Sequence, residues 1–376
     1  MRILAVERSG LYYGSAVNLR NWIEHYVKVN NASVDVLLGE SGEIEEHLEE
    51  VGAQVKLIGL PGFLNRYGKK NIKGVNLLLN ALALFFYNFK CFFSVRKDYD
   101  VLVVNNYRSA VYYLLFLILI KLFSKSKIVI RFQISQTPVK IAFSLVKSIA
   151  DKIIVHGTEG YCKREFGEDF EALDKVVCIP NPVNTEKYRF NEIKAQQIRR
   201  DLKIPEEAFV FLSVCYIEPR KGVLQLVESF KRADLKNCYL VHIGDHGSHQ
   251  EYFDKVIGSA GPNTLFLGKK SNVQDYYSCA DVFVLNSAYE GMPYVIVEAM
   301  SSGLPIISTY SGSNVEVVTK DVGALLEYDD NAALIETLSY YANNRDLCER
   351  MGQKARERVA ALYSERVYFE TLAEVY

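Results

Sequence analysis

The chain reads as an α/β protein made of two Rossmann-like, doubly wound parallel-sheet domains. Three observations predict this. Short apolar, β-branched runs alternate with helix-length segments from end to end, as parallel strands joined by crossover helices require. At 376 residues the chain exceeds one ordinary core, so two domains of roughly 150 to 200 residues are expected. Near mid-chain the alternation breaks at Ile179-Pro180-Asn181-Pro182-Val183-Asn184, where two prolines bracket an asparagine, as in a linker.

In order, the strand-like runs fall at 2–7, 33–38, 55–60, 100–105, 127–132, 152–156 and 175–179, then at 209–215, 238–244, 264–268, 281–287, 305–309 and 323–328. A charged helix is expected at about 191–202. Tyr368, Phe369, Leu372, Val375 and Tyr376 recur at helical spacing, so the tail at about 364–376 is expected to pack back on the first domain. The division is therefore 1–180 with 364–376, and 181–363.

Composition excludes disordered and collagen-like classes, with 49% apolar and 24% charged residues. The net charge of −1 conceals an asymmetry: residues 51–150 hold 15 Lys and Arg against Asp98 and Asp100 alone, a balance of +13. Lys69, Lys70, Lys73, Lys121, Lys125, Lys127 and Arg131 belong to this set. A solvated basic face is one reading; attraction to anionic lipid or a phosphate-bearing acceptor is the other, favoured by adjoining apolar segments. Those segments, Val75 to Phe93 and Val111 to Phe123, are too interrupted or too short to span a bilayer. They read as helices packed on a sheet, the first presenting Phe85, Phe86, Phe89, Phe92 and Phe93 at an interface. The start reads as a strand rather than a secretory leader. Seven scattered cysteines without a C-x-x-C fit reduced core thiols. The cytoplasm is the expected compartment, with the inner face of the cytoplasmic membrane as its alternative.

The most informative local pattern is Glu290-Gly291-Met292-Pro293-Tyr294-Val295-Ile296-Val297-Glu298. It follows the buried run Asp281 to Ser287 and opens a helix expected to reach about Ser302, with Pro293 in its first turn and Gly303 as its left-handed stop. Backbone N–H groups at such a helix start favour phosphate. Glu290 on the turn and Glu298 one turn beyond Tyr294 are suited to accept from sugar or ribose hydroxyls.

Together with Ser213-Val214-Cys215-Tyr216-Ile217-Glu218-Pro219-Arg220-Lys221-Gly222, Leu265-Phe266-Leu267-Gly268, Ala299 to Pro305 and Ser311 to Val318, this pattern resembles the retaining, nucleotide-sugar-dependent glycosyltransferases of the GT-B fold, the family-four group. The resemblance covers roughly 205–320. It implies two domains facing a cleft, a nucleotide diphosphate sugar as donor substrate, no further cofactor and no metal. Glu290 is then the sugar-contacting residue, Glu298 the ribose clamp, and Arg220 and Lys221 the cations that neutralise the departing diphosphate. Gly291, Met292, Pro293 and Tyr294 line the donor, and Lys270 falls where relatives contact the base. Relatives place Gly-Arg where Cys215-Tyr216 stand, so Arg220 substitutes for that arginine.

Gly244-Asp245-His246-Gly247 resembles the family's Gly-Asp-Gly turn. In the first domain, Gly10 and Gly14 permit close backbone approach to donor phosphate or acceptor. The family's cleft histidine after the fifth strand is replaced by Ile130-Arg131-Phe132-Gln133, leaving Arg131, Gln133 or His156 for its role. His242, His246 and His249, and separately Asp98-Tyr99-Asp100, read as ordinary core and surface positions ahead of metal ligands.

The implied activity is sugar transfer to a saccharide or lipid-linked acceptor in surface polysaccharide, lipopolysaccharide or glycolipid synthesis, with front-face attack and no protein nucleophile. A non-catalytic or partner-dependent nucleotide-sugar-binding subunit and a nucleotide-sugar epimerase are the alternatives. Nucleic acid is not an expected partner. A dehydrogenase is disfavoured because the first strand-to-helix turn lacks G-x-G-x-x-G.

Overall fold

The computed structural model describes residues 1–11, 14–61, 75–96, 98–132, 140–167 and 175–376. Gln133, Lys69, Lys70 and Lys73 lie outside these residues. The chain forms two compact units, Met1–His156 with Glu165–Cys178 and Tyr376, and Gly157–Arg164 with Ile179–Val375.

The first unit holds a seven-stranded sheet, β1 Arg2–Glu7, β2 Ser33–Leu38, β3 Gln54–Leu57, β4 Val101–Val104, β5 Lys127–Phe132, β6 Lys152–Val155 and β7 Val176–Cys178, in the order 3-2-1-4-5-6-7. The second holds a six-stranded sheet, β8 Phe209–Val214, β9 Cys238–Ile243, β10 Thr264–Phe266, β11 Val282–Leu285, β12 Ile306–Thr309 and β13 Gly323–Leu326, in the order 10-9-8-11-12-13. Every pairing is parallel. The central strands β4 and β11 are buried along their whole length, which is why they read as unbroken apolar runs.

Helices of the first unit are α1 Gly14–Lys28, α2 Glu43–Glu50, α3 Val75–Ser94, α4 Tyr107–Tyr112, α5 Leu114–Phe123, α6 Lys140–Ile149 and α7 Glu159–Phe166, the last shared with the second unit. The apolar run from Val111 forms two helices instead of one. Asn106 caps α4 by accepting from Ser109 N at 2.7 Å, and Tyr113, outside the α region at φ −96° and ψ 19°, separates the two.

The second unit carries α8 Glu192–Asp201, α9 Val223–Ala233, α10 Gln250–Ser259, α11 Val273–Tyr277, α12 Tyr294–Ser301, α13 Asn314–Val317, α14 Asn331–Ala342, α15 Arg345–Leu362 and α16 Glu365–Ala373. Its sheet is buried on both faces. Val210, Leu212, Phe283 and Leu285 pack with Ile296, Val297 and Met300 on one side. Phe209, Phe211, Val282 and Val284 pack with Leu226, Val227 and Leu338 on the other. Burying each such side chain contributes roughly 1.5 to 3 kcal/mol.

The boundary lies at 178/179 rather than 180/181, and two segments group differently from the expectation. Gly157–Arg164 belongs to the second unit because Thr158 Oγ1 donates to Glu316 Oε2 at 2.7 Å and Arg164 donates to Gly312 O at 2.7 Å. Helix α16 also belongs there, since Ser364 bridges Val183 and Asn184 donates to Glu365 at 2.8 Å. Tyr376 alone of the tail groups with the first unit, its ring 5.9 Å from Trp22 and 5.5 Å from Tyr26. Cys91, Cys215, Cys238, Cys279 and Cys348 are free thiols, but Cys162 and Cys178 are disulfide-bonded, a departure from seven reduced cysteines. Among the described residues no helix is long and apolar enough to cross a membrane.

Candidate active site

The site in the second unit forms because β8 lies between β9 and β11, so the loops leaving the carboxyl ends of β8 and β11 are neighbours. After β8 the chain turns through a single 3₁₀ turn, Pro219–Lys221, into Gly222 and α9. Gly222 has φ +60°, and a Cβ there would lie 2.0 Å from the Asn286 carbonyl oxygen. Only glycine lets this loop lie against the end of β11. Ala288 N donates to Arg220 O at 2.8 Å and fixes the two loops together.

This geometry brings Arg220, Lys221 and Glu290 into one cluster. Lys221 Nζ is 2.5 Å from Glu290 Oε1. Arg220 lies 3.5 Å from Glu290 Oε2, and it donates to Tyr289 O and Glu218 Oε1, each at 2.7 Å. The Lys221 and Glu290 side chains are only 14% and 9% exposed, so water screens the pair less than it would a surface pair. Arg220 is 42% exposed and contributes chiefly long-range charge. Glu290 N donates to Ser311 Oγ at 2.6 Å, and Ser313 N donates to Gly291 O at 2.7 Å, so the loop before α13 holds the turn from behind. Met292 is buried, and its carbonyl accepts from Asn181 Nδ2 at 2.8 Å.

Pro293 is the N-cap of α12 rather than a residue inside its first turn, with φ −72° and ψ 126°. The helix ends at Ser301, and Gly303 follows at φ +82°. Glu298 is half-buried on α12 and accepts from Tyr277 Oη at 2.9 Å. Burial pushes its carboxyl above the ordinary glutamate range, while hydrogen bonds from Tyr277 and Tyr188 pull it back.

Gly244, at φ +154°, follows β9, and a Cβ there would lie 1.8 Å from the Cys215 carbonyl oxygen; its N–H donates to Gly268 O at 3.0 Å. Lys270 is half-buried two residues beyond Gly268. Burial drives the Cys215 thiol up to about 11 and His242 down to about 4, so His242 is neutral at pH 7. His246 stacks on Phe253 with centroids 4.4 Å apart, and His249 lies 3.9 Å from Glu218. The three histidines thus serve separate contacts. Asp98 pairs with Arg96 and Arg2, and Asp100 accepts from Arg2 N at 2.7 Å.

In the first unit, Gly14 opens α1. Arg131 is wholly buried and donates to Asn105 Oδ1 at 3.2 Å, His156 Nε2 at 3.3 Å and Asn18 Oδ1, with Trp22 stacked 5.6 Å from its guanidinium carbon. Asn105 in turn donates to buried Glu7 at 2.7 Å, which also accepts from Asn106, Arg8 N and Ser9 N. Arg131 and His156 were visible in sequence. Glu7, Asn18 and Asn105, like Tyr277 and Asn286 in the second unit, were not singled out, because nothing local marks a polar residue as the partner of one distant in sequence.

Two parallel sheets whose first six strands share the order 3-2-1-4-5-6 are the GT-B fold, and the second unit carries its charged site at the carboxyl ends of the strands. Residues 194–358, within the second unit, match the family model Glycosyl transferases group 1. The chain is 29% identical over 192 residues to the UDP-Gal:alpha-D-GlcNAc-diphosphoundecaprenol alpha-1,3-galactosyltransferase of Escherichia coli, covering 49% of each protein. It is 28% identical over 226 residues to a lipopolysaccharide 1,2-N-acetylglucosaminetransferase of Salmonella typhimurium, covering 56% of the chain and 58% of that relative. The chain thus spans about half the length of the curated relatives it matches. Anabaena Alr3699/HepE in complex with UDP superposes with a TM-score of 0.81 at 18% identity, over 100% of this chain and 99% of that one.

Glu298 offers a test of the site's energetics. Because burial raises its carboxyl in the folded state above that of an unfolded glutamate, the charged form destabilises the fold at neutral pH, and this cost disappears as pH falls below both the folded and unfolded values. Glu298→Gln is therefore expected to melt higher than the parent at pH 7 and to lose that advantage in acid. Melting curves at pH 7 and pH 4 check this, and a lower melting point at pH 7 overturns it.

Proposed function

We propose that the protein transfers a sugar from a nucleoside diphosphate donor to a saccharide or lipid-linked acceptor in surface polysaccharide, lipopolysaccharide or glycolipid synthesis, retaining the anomeric configuration and using no metal ion. The observation that carries this reading is the Lys221–Glu290 ion pair at 2.5 Å, set at neighbouring strand ends beside the start of α12.

Glu290 is the counter-ion of Arg220 and Lys221 while the site lacks donor. An incoming diphosphate supplies a stronger anion to the same cations, which releases Glu290 towards the sugar. The leaving phosphate gains charge as its bond to the anomeric carbon breaks, so Arg220, Lys221 and the N–H groups from Gly291 to Tyr294 stabilise the transition state more than the bound donor. The acceptor oxygen forms its new bond on the face the phosphate leaves, and the acceptor proton passes to a leaving phosphate oxygen. Glu298, oriented by Tyr277, accepts from the ribose hydroxyls, and Lys270 meets the base. Gly244 keeps backbone close to the donor.

Alr3699/HepE was solved with UDP and with UDP-glucose, which makes uridine nucleotides the first donors to test. The Escherichia coli relative acts on a diphosphoundecaprenol-linked saccharide, which supports a lipid-linked acceptor here. Such an acceptor would place the protein at the inner face of the cytoplasmic membrane, in contact with anionic lipid.

Lys221→Ala and Glu290→Gln are each expected to lower kcat by about 100-fold or more, roughly 3 kcal/mol, with the fold intact. Full turnover in either variant overturns the site assignment. Turnover that persists in EDTA is expected, and strict dependence on a divalent ion would contradict the cation roles given to Arg220 and Lys221.

Binding is tested separately by thermal shift with UDP, GDP, ADP and CMP. A nucleotide at a hundredfold excess over its Kd stabilises by about 2.7 kcal/mol. Stabilisation by one nucleoside diphosphate is expected, and binding without turnover on any acceptor would favour the non-catalytic subunit.

A further inference from the structure

Helix α3 turns a stripe of large apolar side chains outward. Leu79, Leu82, Phe86 and Phe93 recur at intervals of three, four and seven residues and are all exposed, with Lys90 on the same stripe. Phe86 and Phe93 are 67% and 77% exposed, the opposite of where phenylalanine belongs in a monomeric soluble domain. Of the five phenylalanines expected at this surface, Phe92 is buried and Phe89 half-buried, because they face inward. Phe92 meets the Phe123 ring at 5.9 Å and joins α3 to the end of α5, where Leu122 and Phe123 are 69% and 67% exposed. The result is one apolar ridge over two helices of the same unit.

Charge around the ridge has one dominant sign. Neither α3 nor α5 contains an acidic residue. Lys90 and Lys125 are exposed and, among the described residues, have no carboxylate within ion-pair distance; Lys121 pairs with Asp151. Asp98 and Asp100, which lie beside Leu122 and Phe123, are matched by Arg96 and Arg2.

We propose that this α3–α5 ridge is the surface by which the protein docks on an anionic lipid bilayer, with Phe86, Phe93, Leu122 and Phe123 entering the headgroup boundary and Lys90 and Lys125 meeting lipid phosphates. The proposal deepens the membrane contact above by assigning it to a surface and a chemistry. It takes attachment from the aromatic ridge rather than from the basic residues of 51–150 as a whole. No helix among the described residues spans a bilayer, so α3 lies in the interface plane, where burial of apolar area and attraction to anionic lipid add. A second copy of the chain is the competing occupant, but exposed lysines at both helices oppose a like-charged partner.

The test is co-sedimentation of the full chain with vesicles of phosphatidylcholine alone or with 30% phosphatidylglycerol. The expected result is binding to the anionic vesicles, at least tenfold weaker for Phe86→Ser with Phe93→Ser, and about tenfold weaker for Lys90→Ala with Lys125→Ala. Both double variants change exposed residues of the first unit and should keep the nucleotide-induced thermal shift of the second, so loss of vesicle binding is separable from failure of the donor site. Should neither site respond, circular dichroism and melting show whether the chain is folded, and folded protein that ignores anionic vesicles overturns the proposal. Equal binding by parent and aromatic variant also overturns it. So does a parent dimer, seen by light scattering, that the aromatic variant abolishes without any vesicle binding by the parent.

Discussion

The placement of β8 between β9 and β11 is the constraint from which the site in the second unit follows. At this point the sheet grows in two directions, and the connections on either side leave a gap above the strand ends. Lys221 and Glu290 are 69 residues apart in sequence, and only this strand order makes them neighbours. The pairing is costly to mimic by local means. Gly222 must adopt a left-handed conformation so that the β8 loop can rest on Asn286, and Ser311, from the loop after β12, must reach back to hold Glu290 N. Three consecutive strands of one sheet, β8, β11 and β12, therefore converge on a single carboxylate.

Glu290 and Glu298 share one turn and helix yet sit in different electrostatic settings. Glu290 faces two cations, Arg220 at 3.5 Å and Lys221 at 2.5 Å. Glu298 faces tyrosine hydroxyls, and burial makes its charge expensive, with Lys187 the smallest of the compensations. A carboxylate held at such a cost is poised for neutral hydroxyl donors, which satisfy it without competing charge.

Much of this was legible in the chain itself. The thirteen strands were readable because buried parallel strands are continuous apolar runs; their ends shifted by a few residues, in one case at glycine and proline, where β3 stops at Leu57 before Gly59 and Pro61, and elsewhere at polar residues such as Asn105 and Asn286. Glu290 to Glu298 was readable because strand, turn and helix are contiguous. What was hidden is non-local. Tyr277 is fixed as the partner of Glu298 by packing of α11 against the core, and α16 was assigned to the wrong unit because helical spacing shows that a face is apolar but not which surface covers it.

The first unit shows the same limit most sharply. Sequence placed Arg131 where relatives keep a histidine and left it free to face a ligand. The structure buries it completely, and an ion in that position costs several kcal/mol unless its field is answered nearby. It donates to Asn18, Asn105 and His156, and among the described residues the carboxylate of Glu7 stands one amide away through Asn105. The cation and carboxylate therefore tie together the ends of β1, β4, β5 and β6 rather than presenting themselves to solvent. A residue used in this way acts on a ligand only by orienting what lies in front of it. Of the residues that sequence offered for the histidine's role, His156 at the end of β6 is likewise buried, and its Nε2 accepts from Arg131, which sets the orientation of the ring.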